Sequence, residues 1–113
     1  GGIMFKPGEI KLLPKAKALF QQLIPVIRTS GSPKILVEGH SDNSPVGNMR
    51  FASNWELSAA RAGSVVSYLI EKGRLPKKKF VVEGHADNRG ITDNSTPEKR
   101  ARNRRVAIVF EVF

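Results

Sequence analysis

The sequence predicts an α/β fold whose elements run strand, helix, strand, helix, strand, short helix, strand. Three observations predict it. A peptide recurs with one change, Val37-Glu38-Gly39-His40-Ser41-Asp42-Asn43 and Val82-Glu83-Gly84-His85-Ala86-Asp87-Asn88, each copy continuing a short apolar run, Ile35-Leu36-Val37 and Phe80-Val81-Val82. Each copy reads as a strand ending in a Gly turn that carries one His and one Asp. Between the copies lies a stretch with helical apolar spacing, and the chain closes on a run rich in Val, Ile and Phe. Repeat strands joined through a full helix should lie parallel, linked by a right-handed crossover.

Residues 1–13 read as a lead-in, with Ile3-Met4-Phe5 as a short strand and Pro7-Gly8 as a turn. From Pro14 to Arg28, Ala16, Leu19, Phe20, Leu23, Ile24 and Ile27 recur at helical spacing. Pro14 suits a first turn, whereas Pro25 deletes a backbone hydrogen bond and predicts a kink in the last turn. Thr29 to Pro33 is a loop and Lys34 to Glu38 the first repeat strand. Gly39 to Ala52 reads as a long polar loop. Ser53-Asn54-Trp55-Glu56 has the spacing of a capping box. The helix it opens should run to Glu71 or Lys72, end at Gly73 and bury Trp55, Ala59, Ala62, Val66, Leu69 and Ile70. Lys79 to Glu83 is the second repeat strand and Gly84 to Thr96 a second polar loop. Thr96 caps a short helix with Pro97 at its first position, ending near Asn103. Arg104 to Phe113 is the last strand.

At 113 residues the chain is read as one domain, 1–113. It is 40% hydrophobic and 26% charged, as a soluble globular protein is. With no cysteine, a disulfide framework and a thiolate metal site are both excluded. The net charge of +9 draws polyanions: nucleic acid, anionic headgroups or acidic wall polymer. It gathers in Lys77-Lys78-Lys79, readable as a solvated face, and in Lys99 to Arg105, which leads straight into a strand. No apolar run reaches the ~18–20 residues of a membrane span and no signal peptide is visible. The chain is therefore either soluble as it stands or the soluble part of something longer.

Parallel repeat strands would bring both His-x-Asp loops to one edge of the sheet, where α/β folds place ligands. Their nearly continuous apolar runs fit burial on both faces, or a sheet whose other face meets a partner. His40, Asp42, His85 and Asp87 offer donors to a divalent ion if the loops meet. A His after a strand-end Gly more often bonds a neighbouring backbone group, and no metal is assigned. There is no Gly-x-Ser-x-Gly, His-Glu-x-x-His or Cys nucleophile. Glu38 and Glu83 sit inside strands, where sheet-edge salt bridges are the plainer use, so the chain is read as non-enzymatic. Nucleic-acid binding has the charge, but the aromatics fall at core positions rather than among exposed basic residues. A fourth option is a zwitterion. Asp42 follows the first repeat strand and Arg61 lies about two turns into the next helix, so the two can flank one pocket. A carboxylate holds an ammonium and a guanidinium forks onto a carboxylate. Spacing alone leaves that pocket level with Asp42 and Arg61 pairing with each other or with solvent.

Val37-Glu38-Gly39-His40-Ser41-Asp42-Asn43, Asn54-Trp55-Glu56-Leu57-Ser58-Ala59-Ala60-Arg61-Ala62 and Asn103-Arg104-Arg105-Val106, in that order, resemble the OmpA C-terminal-like peptidoglycan-binding domain, over about Phe5 to Val109. Asn54 to Ser58, Ala86 to Arg89 and Thr96 to Arg105 are most similar to the MotB/PomB group of flagellar stator proteins. The resemblance implies an α+β sandwich, β-α-β-α-β(-α-β), with a mixed sheet packed on helices. It implies non-covalent binding of peptidoglycan at the diaminopimelate of the stem peptide, with no cofactor and no nucleic-acid partner. Asp42 would take the ammonium and Arg61 the carboxylate, Asn54 would brace the loop or touch the ligand, and Arg104 would line the pocket. Ser41 stands where Thr is usual and keeps the hydroxyl. His85 stands where an aromatic such as Tyr is common, and Gly90 replaces a frequent Pro; Asp87 is read as structural. The stator likeness further implies a periplasmic homodimer, anchored in the inner membrane by an upstream helix, with a MotA/PomA-type membrane subunit as partner. The close rival is an OmpA/Pal-type envelope anchor unrelated to motility.

Overall fold

The computed structural model describes residues 4–6, 8–44 and 51–112. Among the described residues three α-helices and three strands alternate: α1 (Pro14–Thr29), β1 (Ile35–His40), α2 (Asn54–Gly73), β2 (Phe80–Gly84), α3 (Pro97–Asn103) and β3 (Arg105–Phe110), with a 3₁₀ turn at Lys77–Lys79. The sheet runs β2-β1-β3. β1 and β2 are parallel, as their helical link requires, and β3 returns antiparallel to β1.

The expected lead-in strand does not form: Met4 and Phe5 lie in a bend, while Ile3 and Pro7 fall outside the described residues. Phe5 is instead drawn into the core, fully buried, and the Met4 carbonyl accepts from the N–H of Leu13 at the entrance to α1. The lead-in is thus a packed strap. Gly8 turns it, with φ +73°.

α1 buries Ala16, Phe20, Ile24 and Ile27 and runs on through Pro25 to Thr29. Leu19, expected on its inward face, is 47% exposed. α2 starts where the capping box puts it. Ser53 accepts from the Glu56 N–H, and the Glu56 carboxylate reaches back to the N–H of Ala52, one residue earlier than in the usual box. Gly73 is the last helical residue rather than the terminator; Arg74 takes the left-handed conformation, φ 51°. Gly73 serves packing, since a Cβ there would meet Ile24 at 2.8 Å.

The inward face of α2 also differs from expectation. It carries Leu57, Ser58, Arg61, Ala62, Val65, Leu69 and Gly73, while Trp55 is 53% exposed. Hydrophobic spacing could not choose this face because Ser58 and Arg61 belong to it. What chooses it is contact with the sheet. A Cβ on Gly39 would lie 1.8 Å from the Ser58 carbonyl oxygen, and one on Gly84 would lie 2.9 Å from that of Trp55. The two repeat glycines let α2 rest directly on β1 and β2.

Alternation then sorts β1. Ile35, Val37 and Gly39 face the helices with Val106, Ile108 and Phe110 of β3. Leu36, Glu38 and His40 face away, beside Val109, Ala107 and Arg105 of β3. This chain therefore does not bury the sheet on both faces: Val109 on the open side is 39% exposed.

Candidate functional site

At the carboxyl end of β1 the chain leaves the sheet through Ser41 and Asp42. β1 runs two residues further than expected, so Gly39 and His40 are strand, not loop. The Ser41 N–H donates to the Ala86 carbonyl at 2.8 Å and its hydroxyl to the Asp42 carbonyl at 2.9 Å. Asp42 is buried. Its Oδ1 accepts from the Ser44 N–H at 2.9 Å and its Oδ2 pairs with Nη1 of Arg104 at 2.6 Å. Burial pushes its carboxyl up, but the Ser44 bonds and the Arg104 guanidinium outweigh that and hold it below the ordinary carboxylate value. Asn54, at the start of α2, donates to the Ser44 carbonyl at 3.1 Å and so braces this turn. Residues 45–50, which continue the loop, lie outside the described residues.

Arg61 comes from the inward face of α2 and is completely buried. Its Nε donates to the Glu9 carbonyl at 2.9 Å and its Nη2 to the Lys6 carbonyl at 3.1 Å, and its guanidinium carbon lies 5.0 Å from the centre of the Phe5 ring. Nη1 has no hydrogen-bond partner among the described residues. Burial and the Arg104 charge lower its pKa to about 10, against the opposing pull of Asp42 and Glu9. Asp42 and Arg61 therefore do not pair with each other, as one sequence-level reading allowed. Arg104 stands between the roles: it neutralises Asp42 and repels Arg61, and its Nε reaches the Phe5 carbonyl at 3.4 Å.

Arg104 is aimed by Asn103, fully buried at the end of α3. The Asn103 amide accepts from the N–H groups of Ile91 and Thr92 and donates to Thr92 and Asn94, knitting the second loop to the helix end. Thr96 caps α3 through the Lys99 N–H, as its sequence predicts. Two groups were out of reach of sequence reasoning: the Lys6 and Glu9 carbonyls are backbone, and nothing in residue types marks them. Asp87 is exposed, away from this cluster.

The result is a buried triad, one carboxylate and two guanidiniums, roofed by the lead-in strap. Among the described residues one guanidinium nitrogen is left without an acceptor, a costly state for a buried donor. The cluster thus has spare capacity for an anion.

Comparison with known proteins gives the family. The model of the OmpA family matches residues 4–104, and the chain belongs to that family. It is 42% identical to the uncharacterized protein YtxE of Bacillus subtilis and 32% identical to Motility protein B of the same organism, each over 96% of this chain; it spans 45% and 41% of their lengths. Among solved structures it is similar to the cell wall anchor of the T6SS from Pseudomonas aeruginosa, with a TM-score of 0.81, 35% identity and coverage of 95% of this chain and 74% of that one. The C-terminal domain of Helicobacter pylori MotB shares the fold, with a TM-score of 0.88 at 24% identity, covering 98% of this chain and 84% of that one.

Proposed function

We propose that this domain binds peptidoglycan non-covalently through the diaminopimelate end of the stem peptide, as a wall anchor outside the cytoplasmic membrane. The observation that carries the reading is the Asp42–Arg104–Arg61 cluster with its unpartnered Arg61 Nη1. Opposite charges supplied by neighbouring chain segments select a ligand bearing an ammonium and a carboxylate on one carbon. Arg61 Nη1 donates to the carboxylate, and Asp42 shares its oxygens between Arg104 and the ammonium. Ser41 and Asn54 hold the turn that presents Asp42.

Because Arg61 is covered by Phe5, Lys6 and Glu9, ligand entry requires these residues to give way, and the carboxylate takes over from the Lys6 and Glu9 carbonyls. Each charge-assisted bond contributes about 1.5–3 kcal/mol before ordering costs. Single-site affinity is then on the order of micromolar to millimolar. A homodimer gripping one polymer would gain by avidity. The relation to Motility protein B supports a stator anchor working with a MotA/PomA-type membrane subunit. The likeness to the T6SS wall anchor, at higher identity, favours an equally specific second reading, an anchor for another envelope machine.

Burial dictates the test. Removing Asp42 outright strips Arg104 of its bond as well as its countercharge, and removing Arg61 leaves the Glu9 and Lys6 carbonyls without their donor, so the near-isosteric Asp42→Asn and the charge-keeping Arg61→Lys are the variants to use, with circular dichroism to verify the fold. Both should lose at least about tenfold in retention on isolated sacculi. A soluble stem tripeptide containing diaminopimelate should shift the amide resonances of Lys6, Glu9 and Asp42, and its carboxamide analogue should not. Equal shifts by both peptides, or wild-type retention by both variants, would refute the pocket.

A further inference from the structure

The repeat brings a second cluster together on the opposite face of the sheet. Parallel pairing sets Glu38 directly beside Glu83, and the rings of His40 and His85 stack with centroids 5.0 Å apart and planes 10° from parallel. His85 Nε2 lies 3.2 Å from Oε1 of Glu83 and 3.8 Å from Oε2 of Glu38. One ligand atom from each of Glu38, Glu83 and His85 can be chosen so that all three lie within 4.8 Å of one another. The aspartates of the repeat take no part: Asp42 is turned to Arg104 and Asp87 is exposed.

We infer that Glu38, Glu83 and His85 bind a divalent transition-metal ion of the zinc class on the open face of the sheet.

Like charges directly opposite one another across strands are destabilising and call for a cation. Arg105 feels the Glu38 charge and offsets part of it, but its hydrogen bonds go to the carbonyls of Arg89 at 2.7 Å and Asn103 at 3.5 Å, and Ala107, beside Glu38, carries no charge. A tetrahedral ion with bonds of about 2.0–2.1 Å needs ligand atoms about 3.4 Å apart. The two His85–carboxylate separations bracket that value, and the two carboxylates, within 4.8 Å of each other, close on the ion by side-chain rotation. One imidazole nitrogen with two carboxylate oxygens suits Zn²⁺ rather than Ca²⁺ or Mg²⁺, which favour all-oxygen shells. Three protein donors leave the fourth position to water. Beneath the site, His40 is 2% exposed; its Nε2 lies 3.6 Å from Oε1 of Glu38, and its Nδ1 has no hydrogen-bond partner among the described residues. The stacked rings fix the plane of His85 from below.

The composition makes the test clean. The chain has two histidines and no cysteine, so its imidazoles are both in this cluster and it has no thiolate. A tag-free, chelator-treated chain titrated with Zn²⁺ should show one saturable equivalent in calorimetry and a higher melting temperature. Co²⁺ should give the intense visible absorption of a tetrahedral site. His85→Ala and Glu83→Gln should each weaken Zn²⁺ binding at least about tenfold, while Asp93→Asn, at an exposed carboxylate paired with Lys99, should leave it unchanged. Should His85→Ala fail to fold, Glu83→Gln on the edge strand decides alone. Absence of one-to-one binding, or wild-type affinity in the folded variants, overturns the site.

Discussion

The two copies of the repeat lie side by side in register, Val37 against Val82, Glu38 against Glu83 and Gly39 against Gly84, yet they end in different chemistry. In the first copy Val37 is fully buried; in the second Val82 is 42% exposed. After Gly39 the first copy stays in the strand through His40, opposite Arg105, and delivers Asp42 into a buried ion pair. After Gly84 the second copy leaves the strand and turns at Ala86, φ 52°, so that Asp87 emerges into solvent. Local sequence that differs only at Ser41 and Ala86 thus meets a central strand in one case and an edge strand in the other. The neighbour, β3, decides which aspartate becomes part of a site.

Paired substitutions break this comparison where the copies differ most. Gly39→Ala should give the largest loss of stability, more than about 3 kcal/mol, because its methyl would strike a helix carbonyl at 1.8 Å that no rotamer change can move. Gly84→Ala, with nearest atoms at 2.8–2.9 Å, should cost about 1–3 kcal/mol. Urea unfolding measures both; equal losses would mean that α2 shifts as a body over either strand.

Comparable in size, Asp42→Asn should destabilise by about 1–3 kcal/mol, since its amide oxygen still accepts from Arg104 but no longer neutralises it. Asp87→Asn should leave the unfolding midpoint where it is. Val37→Ala should cost about 2 kcal/mol, and Val82→Ala less than half of that. If the valines responded alike, the edge and centre assignments would be wrong.

The smallest effect is a pH dependence. The Asp42 carboxyl titrates below its ordinary value in the folded state, because the Ser44 bonds and Arg104 prevail over burial. Its contribution is fully present above the unfolded carboxylate value of about 3.9 and is lost as pH falls below it through the lower folded value. The gap in stability between wild type and Asp42→Asn should therefore narrow in that acid range and stay constant above pH ~5. A gap that narrows near neutrality would assign the effect to another group.

Much of this was legible. The Ser53 cap, the Thr96-Pro97 start and the parallel repeat strands follow from local chemistry, and the structure has all three. The arginine run was rightly read as more than a solvated face, since Arg104 and Arg105 both make specific bonds. Misreadings share one cause. Leu19 and Trp55 satisfy helical spacing but point outward, whereas Ser58 and Arg61 break it and point inward. Periodicity ranks faces by apolarity, and a helix face that holds a buried guanidinium ranks low. The lead-in departs from a strand for a related reason: Phe5 lies against the buried Arg61, and the neighbouring Lys6 and Glu9 carbonyls accept from its guanidinium.

The sequence by itself determined the order of elements, their caps, the two glycines that admit α2 and the residue types a zwitterion would require. Only the tertiary structure decided that Asp42 belongs to Arg104, that the strap covers Arg61, and that Glu38, Glu83 and the two histidines share one face. Local propensity acts over a few residues, whereas these pairings join positions far apart in the chain, Asp42 to Arg104 across 62 residues and Arg61 to Lys6 across 55. No window on the sequence contains both partners; the fold brings them together by pairing β1 with β3 and laying α2 against the sheet.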